Sequence, residues 1–235
     1  TSGAHFQSVW GAYALGCQGG GRGPTRQDTD MTSAEEVNSF ISESSDPGMC
    51  ADIGITFGQV AEDNDALLPY TPEAAEKLPA GYRAEGGGWV ATSVGVISIL
   101  TNLDVVPEAP TSWADLKKPE YQGLITIKNP SKSGTGQAML FSVAAALGTG
   151  PTVLDTAIEY FKEISKAGQF NRFGYSAASF ERGETPIVLF YDYVNLQTAK
   201  LAEDKGIKAS VTIPSEGGVW SPSAIMCNKR TKDPD

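Results

Sequence analysis

From Met31 onward, short apolar runs alternate with amphipathic stretches, and this alternation restricts the chain to an α/β architecture. Asp52-Ile53-Gly54-Ile55-Thr56-Phe57, Leu124–Lys128, Pro186–Tyr191 and Ala209–Ile213 read as strands. Val94–Asn102 is the longest such run, of the kind buried on both faces of a sheet. Between them lie helices. Thr32 and Glu35 form a capping box ahead of Val37, Phe40 and Ile41 on one helical face, and Asp46-Pro47-Gly48 ends that helix. Leu67-Leu68-Pro69-Tyr70 is a turn leading to a short helix at Glu73–Leu78, and Thr111–Leu116 opens another with its own caps. Gln137–Leu147 is apolar almost all round, hence a buried helix. Pro151-Thr152 starts an amphipathic helix through Val153, Leu154, Ala157, Ile158, Phe161 and Ile164, with Gly168 at its C-cap. Ser176–Arg182 and Val194–Glu203 complete the set, and the pattern predicts a largely parallel sheet in each half. Pro107 and Pro110 mark a candidate lobe boundary, and residues 1–30 are glycine-rich (Gly19 to Pro24) and irregular.

A length of 235 residues suffices for one large core or two modest ones. The net charge of −10 opposes binding to nucleic acid or to an anionic membrane surface, although oriented backbone N–H groups can still bind an anion locally. No apolar run approaches the roughly 20 residues of a membrane-spanning helix. Cys17, Cys50 and Cys227 are far apart and without zinc spacing, so at most one internal disulfide is expected. Cys17 follows Ala14-Leu15-Gly16 in loose likeness to a lipoprotein cleavage site. Its apolar run from Val9 is short and no positive segment precedes it, which favours an ordinary thiol.

Catalytic equipment is sparse. The single histidine, His5, lies in the irregular N-terminal stretch, so a histidine general base or a Ser-His-Asp triad is not expected. Walker and GxGxxG motifs are absent, no cofactor is expected, and the Glu35-Glu36 pair reads as a solvated helix face. Binding is better represented. Ser133, Gly134, Thr135 and Gly136 join a strand to a helix, where free N–H groups suit a carboxylate or phosphate; an ordinary capped turn is the alternative. Tyr191, Asp192 and Tyr193 end a buried strand, the place where open α/β sheets bind ligands, with Asp192 the strongest candidate. The plainer reading there is two half-buried tyrosines and a helix-capping aspartate. Trp89 and Trp220, beside flexible glycines, and Glu216 near the second of them are candidate cleft walls; tryptophans packed under loops are the alternative.

Pro110-Thr111-Ser112-Trp113-Ala114-Asp115-Leu116 followed by Pro119-Glu120-Tyr121-Gln122-Gly123 resembles the P-x-S-W-x-D-L…P-x-Y-K-G signature of family 1 of the extracellular solute-binding proteins. Asn129-Pro130 with Ser133–Gly136, Gly183–Ile187, Pro214–Gly217 and Ser221–Ala224 fit later landmarks; Glu36-Val37, Asp52 and Leu68-Pro69-Tyr70 fit earlier ones. The resemblance is to the branch that holds ferric-iron, thiamine, polyamine and organophosphate binders. It implies a two-lobed Venus-flytrap fold of type II that closes by a hinge over its ligand. The first lobe would comprise 1–102 with 212–235 and the second 103–211, with crossings near Thr101-Asn102 and Thr212-Ile213. It further implies a monomer serving an ABC permease outside the cytoplasmic membrane, periplasmic, or extracellular and anchored if Cys17 is lipidated. Residues 1–30 do not match the family's opening strand and helix. Family members also continue beyond Lys232-Asp233-Pro234, so a fragment or a divergent member is expected.

Ferric binders of this branch use adjacent tyrosines, whereas Asp192 separates Tyr191 from Tyr193 here, and only a ferric ligand would make those two metal ligands. The Ser133–Thr135 loop with Asp192 and Glu216 fits a small polar solute better, with anionic and phosphorylated solutes the leading candidates. The competing class is a two-lobed enzyme such as a transferase.

Overall fold

The computed structural model describes residues 31–42, 50–69, 72–149 and 152–231. His5, Cys17, the glycine-rich stretch 19–24, Asp46-Pro47-Gly48, Tyr70, Pro151 and Lys232-Asp233-Pro234 lie outside them. Helix α1 (Ser33–Ser42) opens with the expected capping box: the Thr32 N–H donates to Glu35 Oε2 at 2.9 Å and the Glu35 N–H to Thr32 Oγ1 at 3.4 Å. Its Val37 and Phe40 are buried.

The first sheet contains β1 (Cys50–Gly54), β2 (Trp89–Gly95) and β7 (Ser221–Cys227), in the order β1-β7-β2 with both pairings antiparallel. Strand alternation divides it into two chemically different faces. Ala51, Ile53, Ala224, Met226 and Trp89 join Val37 and Phe40 of α1 and Phe57 and Ala61 of α2 (Ile55–Asp63) in one apolar core. Asp52, Gly54, Ser221 and Ser223 point the other way. The β1 run is expected to extend to Phe57, yet it turns helical at Ile55. Only a helical spacing buries the adjacent Phe57 and Gly58 together with Ala61 on one side, and this outweighs the strand preference of Ile-Thr-Phe.

The second sheet has the order β4-β5-β3-β6, from β3 (Ile97–Asn102), β4 (Ile125–Thr126), β5 (Ile187–Tyr191) and β6 (Ala209–Thr212). Only β4 and β5 run parallel; β3 is antiparallel to both β5 and β6. The expectation of largely parallel sheets is therefore corrected. A continuous apolar run reports burial of both faces, as β3 and β5 show, but not the direction of the neighbouring strand. The run Val94–Asn102 is likewise two strands, broken at Val96, which belong to different sheets.

Helices α3 (Gly134–Leu147), α4 (Val153–Lys166), α5 (Ala177–Glu181) and α6 (Asp192–Glu203) accompany the second sheet around a separate core. That core includes Ile99, Leu100, Leu116, Ile125, Met139, Phe180, Ile187 and Leu189. Each such side chain stabilises the fold by about 1.5–3 kcal/mol. Trp113 lies at its margin, fully buried; its indole N–H donates to the Gly217 carbonyl at 2.9 Å, and its own carbonyl accepts from the Tyr160 hydroxyl at 2.6 Å. Gly168 ends α4 with φ +76°, a conformation only glycine adopts freely. No helix among the described residues is long and apolar enough to cross a membrane.

Cys50 and Cys227 face each other in the β1–β7 register and form a disulfide across 177 residues of chain. So long a closed loop restricts the unfolded chain strongly. Replacing both cysteines by serine is expected to lower unfolding stability by about 2–5 kcal/mol in urea titration. Reductant should lower the melting temperature of the parent protein and leave that of the double variant unchanged.

Candidate functional site

The polar face of the first sheet owes part of its composition to a β-bulge. β2 and β7 are in register at Ala91–Ala224 and again at Ser93–Ser223, so Thr92 is the extra residue. The bulge reverses the alternation. Trp89 and Ala91 pair with core-facing Met226 and Ala224, while Ser93 and Gly95 pair with Ser223 and Ser221 on the opposite face.

Tyr191, at the end of β5, and Tyr193, in the first turn of α6, meet this face. Their rings stack with centroids 5.5 Å apart and planes 9° from parallel. The Tyr191 hydroxyl lies 3.2 Å from Ser221 Oγ and beside that of Thr135; Ser223 and Ser93 flank the Tyr193 phenol. Asp52 completes the cluster, with its Oδ1 buried and unpartnered. Burial pushes its carboxyl up to about 7. Burial also raises both phenols, and the nearby Asp52 charge raises them further.

Two helix beginnings meet next to this cluster. α2 starts after Gly54 and α3 after Ser133, and neither flanking residue caps its helix with a side chain. Gly54 and Gly134 pack backbone on backbone: a Cβ on Gly134 would stand 2.6 Å from Gly54 Cα, and one on Gly54 would stand 2.5 Å from Gly134 Cα. Along the same seam the Ala34 N–H donates to the Lys132 carbonyl at 3.2 Å, the Gly54 N–H to Ser33 Oγ at 3.4 Å, and the Thr56 hydroxyl to Gln137 Oε1. A cavity of about 90 Å³ remains, lined by Gly54, Thr56, Gly134, Gln137, Trp220 and Ser221 among others. Small-molecule pockets start at roughly 300 Å³, so a larger solute requires the seam to part.

Of the residues singled out in the sequence, Ser133, Gly134, Thr135, Tyr191, Tyr193 and Trp220 gather here. Trp220 is 68% exposed at the cavity rim. Gly136 serves the loop itself, since a Cβ there would strike Asn129 and Pro130 at 2.7 Å or less. The Asp192 carboxylate accepts the Val96 N–H at 3.1 Å while its own N–H donates to the Val96 carbonyl at 2.8 Å, which ties α6 to the break between β2 and β3. Glu216 accepts the N–H groups of Trp113 and Ala114, at 3.1 and 3.3 Å, and so caps that turn. Trp89 lies in the first core with its ring over Gly58, on the sheet face away from Asp52. Asp52, Ser93, Ser221 and Ser223 are the cluster residues that sequence reasoning missed. A signal for three of them exists in the alternation of Ser221 and Ser223 with Ala224 and Met226, and in an aspartate between buried Ala51 and Ile53.

Two antiparallel-rich sheets with separate cores, joined through a seam of helix ends, define a two-lobed α/β fold. Solved structures share that fold. The periplasmic binding protein AfuA from Actinobacillus pleuropneumoniae, determined with exogenous fructose-6-phosphate bound, superposes with a TM-score of 0.73 at 20% identity, covering 87% of this chain and 66% of that one. Iron-bound HitA from Pseudomonas aeruginosa gives 0.68 at 17% identity, covering 97% and 73%. The spermidine/putrescine-binding periplasmic protein of Escherichia coli (strain K12) is 30% identical over 149 residues, or 62% of this chain and 40% of that protein's length. Residues 50–234 match the model for the bacterial extracellular solute-binding proteins, and the chain belongs to that family.

Asp52 yields a stability prediction. Its carboxyl titrates near 7 in the folded protein against 3.8 ordinarily, so between these values the folded state holds a proton that the unfolded chain releases. The contribution of Asp52 to stability therefore falls as pH rises through that window and levels off above it. Asp52→Asn is expected to match the parent near pH 4 and to exceed its stability by more than about 1 kcal/mol at pH 8. Denaturant titrations of both proteins across this range are the check.

Proposed function

We propose that this protein is the solute-capture component of a bacterial ABC import system. It holds a small polar, anionic or phosphorylated solute between its lobes and presents it to a membrane permease without transforming it. The observation that carries this reading is the abutment of two helix beginnings at Gly54 and Gly134, one from each sheet. Each uncapped N-terminus carries roughly half a positive charge, so bringing two together is unfavourable until an anion lies between them. An acidic solute contacting both would thereby favour the closed arrangement, as hinge-bending capture requires. The Thr135 and Ser221 hydroxyls beside the seam supply further donors.

The chain passes between sheets at Val96 and again between Thr212 and Ser221, and there we place the hinge. Among the described residues the lobe limits follow as 31–95 with 221–231, and 97–212, with the crossings between them. A disulfide suits an oxidising compartment outside the cytoplasmic membrane. A second reading, ferric-iron capture, draws on the side-by-side phenols of Tyr191 and Tyr193, which the intervening Asp192 does not keep apart.

Native mass spectrometry of the purified protein, with release and identification of what co-purifies, tests the reading. A stoichiometric acidic solute released unchanged is the expected result; turnover, or a red tyrosinate-iron complex, would overturn it. Gly134→Ala must push the helix ends apart. It should weaken binding of that solute at least about tenfold while unfolding stability changes little.

A further inference from the structure

Asp52 has no evident structural work in its surroundings. Its Oδ1 is buried without a hydrogen-bond donor, and among the described residues no cation offsets the burial of its carboxyl. A buried acceptor left in this condition costs free energy unless something supplies the missing donor. Asp52 pairs with Ile225, so Ser223 is its diagonal neighbour on β7, and the stacked phenols of Tyr191 and Tyr193 lie within electrostatic reach of its carboxylate. This is one carboxylate in the neighbourhood of neutral hydroxyls, none of which donates to its Oδ1.

The cluster is continuous with the helix-end seam. Asp52 and Gly54 are two residues apart on β1, hence on one face and about 7 Å from each other along the strand. Ser221 touches both regions, since it meets the Tyr191 hydroxyl and lines the cavity beside Gly134. One end of this surface therefore presents donors and partial positive charge, and the other a single negative acceptor.

Resting on the anionic reading above, we infer that Asp52 with Tyr191 and Tyr193 forms a cation-recognising pole, so that the captured solute is a zwitterion. Its acidic group sits at the Gly54–Gly134 helix ends and its ammonium at Asp52, joined by a short spacer of roughly two or three carbons. An ammonium offers three N–H donors and one positive charge, which matches one carboxylate among neutral hydroxyls. A hard trivalent metal ion would want several anionic oxygens. Burial keeps both phenols protonated, and among the described residues no group of three or more His, Cys, Asp or Glu could hold a metal.

Isothermal titration at pH 7.5 with phosphoethanolamine, ethyl phosphate, putrescine and ferric citrate separates the alternatives, using the full chain and Asp52→Asn. Phosphoethanolamine is expected to bind the parent at least tenfold more tightly than ethyl phosphate. In Asp52→Asn, whose folding is verified by circular dichroism, that preference should fall to less than threefold through loss of phosphoethanolamine affinity alone. Equal affinity of the two esters for the parent, or a preference that survives Asp52→Asn, overturns the zwitterion and leaves the anionic reading standing. Binding of putrescine or ferric citrate without either ester, or of none of the four, overturns both.

Discussion

The contact between Gly54 and Gly134 is the constraint around which the molecule is arranged. No other residue pair allows two backbones to approach so closely, because a single methyl on either would fall within 2.6 Å of the opposite Cα. The contact has an electrostatic consequence as well. It aligns the beginnings of α2 and α3, whose first-turn N–H groups lack side-chain caps, and so concentrates positive potential in a protein of net charge −10. Backbone geometry thus contributes electropositive character here.

What stands against that seam depends on the first sheet having one apolar and one polar face. β7 supplies the division by alternating Ser221 and Ser223 with Ala224 and Met226. β2 follows it only because of the bulge at Thr92. Without that extra residue, Trp89 in the core would place Ser93 in the core as well. The polar face then receives the tyrosines from the other sheet, and the apolar one closes on α1 and α2. Asp52 is tolerated on β1 because its neighbours Ala51 and Ile53 alone carry the packing on the opposite face.

Local chemistry was readable in the sequence wherever it acts within a few residues. The Thr32–Glu35 capping box, the Gly168 cap and the buried helix through Met139 depend on neighbours in the chain and were read accordingly. Strand direction, the break at Val96 and the helical turn at Ile55 depend on partners distant in the chain or on the shared core. The site divides in the same way. The Ser133–Thr135 turn and the strand end at Tyr191 stand out locally. The isolation of Asp52 exists only once β1, β5 and α6 are assembled. Asp192 and Glu216 illustrate the converse: polar residues conspicuous in sequence whose carboxylates are occupied by backbone N–H groups of Val96, Trp113 and Ala114.

The Asp192–Val96 pairing links the crossing point of the chain to the tyrosine cluster. Val96 separates strands of the two sheets, and both of its backbone polar groups are bound by Asp192 at the start of α6. The next residue, Tyr193, lies against Gly95 so closely that a Cβ there would stand 2.8 Å from the ring. A rotation about Val96 cannot leave these contacts unaltered. It must either turn α6 and Tyr193 with β3 or break the two hydrogen bonds between Val96 and Asp192, and the first alternative is cheaper by about 1 kcal/mol for each bond kept. Under the hinge proposed at Val96, its angle and the position of the Tyr193 ring relative to Asp52 would be mechanically coupled. On that proposal, separation of the seam would draw the two halves of the cluster apart together with the two helix ends.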